Sequence, residues 1–129
     1  MDRVALRQSI YSEPTFRRAD TFLALHMRSA ALTELTNLVD VVGRDPRALD
    51  ILVDYCERVG LHKRAILLSE RILALSPAEE LSEAPVYLQK RICPTHFRSI
   101  IERECAERGI DPYVEYSLIR QESLFEPSA

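Results

Sequence analysis

Apolar residues in this chain recur at helical spacing rather than in the strict alternation of a strand. From about Arg18 to Pro77 the chain reads as helices joined by short breaks, in which ADTFLALHMRSA, residues 19–30, is followed by LTELTNLVDVV, residues 32–42. In the second stretch Leu32, Leu35, Leu38 and Val39 fall on one face, and Gly43 is placed to end the helix as a C-terminal glycine does. DPRALDILVDYCERVG starts with Asp45 as an expected N-cap and Pro46 at the first helical position. Leu49, Leu52, Val53 and Cys56 make its apolar stripe, and Gly60 closes it. HKRAILLSERILAL, residues 62–75, repeats the amphipathic pattern until Ser76 and Pro77 stop it.

These helices come in pairs, and the pairs have a period. Ala31 and Ala65, Leu32 and Ile66, Leu38 and Ile72, and Val41 and Leu75 each stand about 34 residues apart. Residues 46–77 resemble one tetratricopeptide-type repeat, with Leu52 early in the first helix, Gly60 at the turn and Ala65-Ile66 on the second helix. The preceding unit matches less well and has His26 where the turn glycine would stand. Hairpins of this kind depend on their neighbours for burial, so stacking is their first role and a surface for protein partners the second.

The expected organisation is therefore a lead-in at residues 1–17, hairpin repeats at 18–77, and a linker with a short helix around Pro85 at 78–93. A different segment runs from 94 to 129. In it PTHFRSIIERECAERG reads as an amphipathic helix with Phe97, Ile100, Ile101, Cys105 and Ala106 facing inward and Gly109 ending it. Asp111 and Pro112 again give a cap followed by a first-turn proline, and the next helix reaches about Glu122. The fold class is all-α.

Composition agrees with this. The chain has 47% hydrophobic and 29% charged residues, three glycines and no tryptophan, a balance that favours helix in a globular protein. A net charge of −3 without a basic patch argues against nucleic acid as a partner. No apolar run approaches the roughly 20 residues that span a bilayer, and the first residues lack the cationic start and apolar core of a secretory signal. Three cysteines, Cys56, Cys93 and Cys105, include no CxxC pair. Cys93, His96 and Cys105 fit no common zinc spacing, so no metal and no cofactor is expected.

The last third carries the chemistry. CPTHFRSIIERECAERGIDPYVEYSLIRQESLFEPSA resembles the opening of the catalytic domain of soluble lytic murein transglycosylases, lysozyme-like enzymes that cleave peptidoglycan. Pro94, Phe97, Arg98, Gly109, Asp111 and Pro112 match the first part of that pattern. Leu118, Ile119, Arg120, Gln121, Glu122, Ser123, Phe125 and Pro127 match the second. The larger members also carry a helical superhelix ahead of the catalytic domain, to which residues 18–77 are similar. Departures are Cys93 for a usual Tyr, His96 for a common Pro, Glu115 at a mostly apolar position, and Leu124 and Glu126 where Arg and Asn are frequent. The Gly-Leu-Met-Gln segment and the later helices that complete the sugar cleft do not occur before Ala129. This stretch is thus expected to be a truncated catalytic domain and inactive by itself.

The resemblance implies Glu122 as the sole acid/base, with Gln121, Ser123 and Phe125 as supporting or substrate-binding neighbours. It also implies peptidoglycan glycan strands as substrate, and hence the periplasm or cell envelope. The competing expectation is a helical-repeat interaction module in which residues 94–129 merely pack as two further helices.

Overall fold

The computed structural model describes residues 2–92 and 98–123, giving the backbone course alone for residue 117 and residues 119–123. Among the described residues there are eight α-helices and no strand. They are α1 (Arg3–Tyr11), α2 (Pro14–Ala24), α3 (Arg28–Val42), α4 (Pro46–Arg58), α5 (His62–Leu75), α6 (Val86–Ile92), α7 (Arg98–Arg108) and α8 (Pro112–Ser123). The chain divides into two compact units, residues 1–51 and 52–129, with the division inside α4.

In the first unit the lead-in proves to be helical. Asp2 caps α1 by accepting the Ala5 N–H at 2.8 Å. Pro14 stands at the start of α2, where its missing N–H costs nothing. Across the bend between these helices the rings of Tyr11 and Phe16 stack at 4.4 Å. Ile10, Phe16, Ala19, Ala31, Leu35 and Leu38 are buried, so α1 contributes one anchor and α2, with Phe16 and Ala19 buried, packs on α3. Arg18 donates to Glu34 at 3.1 Å and Arg3 to Asp50 at 2.6 Å, both at the surface, where such pairs contribute on the order of 0–1 kcal/mol.

The apolar pattern around residues 19–30 is broken in space. α2 stops at Ala24, and His26 adopts a left-handed φ of 58°. The Met27 N–H reaches back to the Phe22 carbonyl at 2.8 Å and the His26 N–H to that of Leu23 at 3.0 Å, which together satisfy two carbonyls left open at the helix end. Gly60 repeats this. It has φ 82°, with the Leu61 N–H on the Cys56 carbonyl at 2.8 Å and its own N–H on that of Glu57 at 3.3 Å. The two turns lie 34 positions apart. Gly43 ends α3 as expected, but at φ −69°, a conformation open to any residue rather than the left-handed one of a C-terminal glycine.

In the second unit Leu52, Val53, Tyr55 and Cys56 of α4 are buried, as are Leu61 and, on α5, Ala65, Ile66, Leu68, Ser69 and Ile72. The Ser69 hydroxyl is satisfied by donating to the Ala65 carbonyl at 2.8 Å. Residues 78–92 form more than a connection. A 3₁₀ turn at Leu81–Glu83 leads into α6, which packs on α5 through buried Leu88 and Ile92. Pro85 precedes α6 and its carbonyl accepts the first N–H groups, from Leu88 at 3.0 Å and Gln89 at 3.1 Å. The Arg91 guanidinium bonds Asp54 of α4 and lies 5.7 Å from the Tyr87 ring centroid.

α7 and α8 form a hairpin. Gly109 takes φ 68°, the Ile110 N–H meets the Cys105 carbonyl at 2.9 Å, and Asp111 caps α8 by accepting the Tyr113 N–H at 3.0 Å. Ile101, Cys105 and Tyr116 are buried together with Ile66 of α5. Ile100 and Ala106, expected inward, face solvent instead, Ile100 at 53% exposure. Phe97, also expected inward, lies outside the described residues. At 100° per residue, Ile100 and Ala106 each lie about 120° from the centre of the face that Ile101 and Cys105 define, and so fall outside it. The tertiary contacts selected that narrower face.

Candidate functional site

Of the residues expected to form a site, Gln121, Glu122 and Ser123 fall at the end of α8. Its start is fixed by Asp111 and Pro112, and twelve residues carry it to Ser123, so Gln121, Glu122 and Ser123 occupy the last turn. Their side chains, and Phe125 altogether, lie outside the described residues. Along the helix Glu122 follows Leu118 by one turn and Glu115 by two, about 10.5 Å of axial rise. Leu118 is 48% exposed and Glu115 half-buried.

Glu115 lines an open cavity of about 190 Å³ in the α7–α8 hairpin, with Ile100, Ile101, Cys105 and Ile110 as its apolar wall and Glu104 and Arg108 at its rim. Burial pushes the Cys105 thiol above its ordinary range, assisted by the carboxylates of Glu115 and Asp111, so this sulfur stays protonated at neutral pH. Glu115 thus borders a cavity and is partly wetted. That is how the hairpin accommodates a carboxylate there.

A second depression, about 150 Å³, lies among Arg98, Glu102, Pro112, Tyr113 and Tyr116. Arg98 Nε donates to Glu102 at 2.8 Å, an i,i+4 pair that raises the guanidinium pKa further. The Tyr116 ring is buried beside them, and desolvation, then the Glu102 charge, pushes its phenol up, with Arg98 opposing. Arg98 is among the residues on which the family resemblance rests, whereas Tyr116 and Glu102 are not. The four-residue spacing of Arg98 and Glu102 was the available signal of their pairing.

The hairpin leaves much apolar surface in water. Ile100, Ile110, Val114 and Leu118 are exposed, and Tyr113 is 75% exposed. Among the described residues no three His, Cys, Asp or Glu gather as a metal-binding set; Cys93 and His96 lie outside them. No helix among the described residues is long and apolar enough to cross a membrane.

Comparison with protein-family models, with curated proteins and with solved structures returns no match to this chain.

Proposed function

We propose that this chain carries the opening helices of a peptidoglycan lytic transglycosylase domain behind tetratricopeptide-like hairpin repeats, with Glu122 as the acid/base. The observation that carries this reading is the run from Leu118 to Pro127. Eight of its ten residues agree in order and spacing with the family's active-site helix, and α8 extends through Ser123. The exposed apolar face of α7–α8 supports it further, since a lysozyme-like cleft needs apolar walls around its acid.

A glycosidic oxygen is a poor leaving group unless it is protonated, so the acid must hold a proton near neutral pH. In such enzymes burial beside apolar side chains disfavours the anion, and the partial negative charge at the C-terminal end of a helix opposes ionisation as well. Glu122 then protonates the oxygen between N-acetylmuramic acid and N-acetylglucosamine, and the C1–O bond breaks. The Glu122 carboxylate next takes the proton of the muramoyl C6 hydroxyl as that oxygen closes on C1. The product is a 1,6-anhydro ring, and no water is consumed. Many glycosidases pair two carboxylates for hydrolysis; here one serves both steps. Gln121, Ser123 and Phe125 support the sugar and the acid. Such a substrate places the protein in the periplasm or cell envelope.

A second reading is an interaction module without catalysis. It is favoured by the two left-handed turns 34 residues apart, flanked by the equivalent buried residues Ala31 and Ala65, Leu38 and Ile72. Sacculi incubated with the full gene product, analysed by mass spectrometry, separate the readings. Anhydro-muropeptides that disappear with Glu122→Gln are expected. Undiminished products from that variant overturn the assignment of Glu122, and binding without products leaves a glycan-binding or scaffold role.

A further inference from the structure

We draw no further inference here: the strongest candidate, the open cavity of about 400 Å³ lined by Leu6, Ile10, Val41 and Ala48 in the first unit, is an unpartnered apolar face, and nothing in the structure shows what covers it.

Discussion

The turns at His26 and Gly60 make the same demand on their central residue and meet it with different residue types, so exchanging those types has a calculable outcome. Gly60 and His26 hold the same left-handed conformation and the same pair of returning hydrogen bonds. A Cβ at position 60 would meet nothing within 4 Å, so Gly60→Ala tests the backbone alone. The left-handed conformation costs an L-residue about 1–2 kcal/mol. Restricting the unfolded chain returns about 0.4–1 kcal/mol, which leaves a net loss of roughly 0.5–1 kcal/mol. His26→Gly runs the other way. Its side chain is exposed, so removing it sacrifices little packing, and a gain of roughly 0.5–1 kcal/mol is expected. Urea titrations followed by helical circular dichroism read both. With a slope of about 2 kcal/mol per molar, the midpoints should move about 0.3–0.5 M, down for Gly60→Ala and up for His26→Gly. An unchanged midpoint for the first variant, or a lowered one for the second, would refute the account of these turns as matched left-handed caps.

Other predictions rest on burial and charge. Ala31 and Ala65 are buried, so Ala31→Leu or Ala65→Leu should each cost about 1–3 kcal/mol by overpacking in the same titration, whereas Leu at exposed Ala24 should be nearly neutral. Burial pushes the Cys56 thiol to about 12 from an ordinary 9.0. Above pH 9 the unfolded chain loses this proton and the folded one keeps it, so stability falls as pH rises towards 12. Between pH 8 and pH 10 the loss should be roughly 1 kcal/mol, and it should be missing from Cys56→Ala; an identical alkaline slope in that variant would rule this out. Asp45 accepts the Arg47 N–H at 3.0 Å. Its partial desolvation raises the carboxyl pKa, but the backbone and side-chain bonds of Arg47 outweigh this and hold it below the ordinary value. Asp45→Ala should therefore cost about 1 kcal/mol at neutral pH. The ionic share of that contribution is present above the ordinary aspartate pKa and fades as acid protonates the carboxylate, so variant and parent should converge in acid-dependent melts.

Sequence pattern located most helices because their signals are local. The caps at Asp45 and Asp111 act within two residues, α5 spans the stretch read from its periodicity, and the spacing of 34 reappears as paired turns. The same logic placed Glu122 near the end of a helix, since Asp111, Pro112 and the apolar run after them are all nearby in the chain. It failed where the deciding contact is distant. α1 has a single buried residue, Ile10, too little to make a periodic stripe, and its cap and its packing on α2 hold it. α6 is the short helix expected in the linker, but its packing on α5 through buried Leu88 and Ile92 has no local signal.

By itself, then, the order of residues determined that the chain is helical, where its turns fall and which residues are available for acid chemistry. Hydrogen bonding and capping require only neighbours along the backbone. Only the folded arrangement decided which apolar residues meet. It buried Ile101, Cys105 and Tyr116 with Ile66, left Ile100 and Leu118 in water, and set Glu115 on the edge of a cavity. Burial depends on surfaces brought together from far apart in the chain, and helical spacing alone does not rank the faces that compete for it.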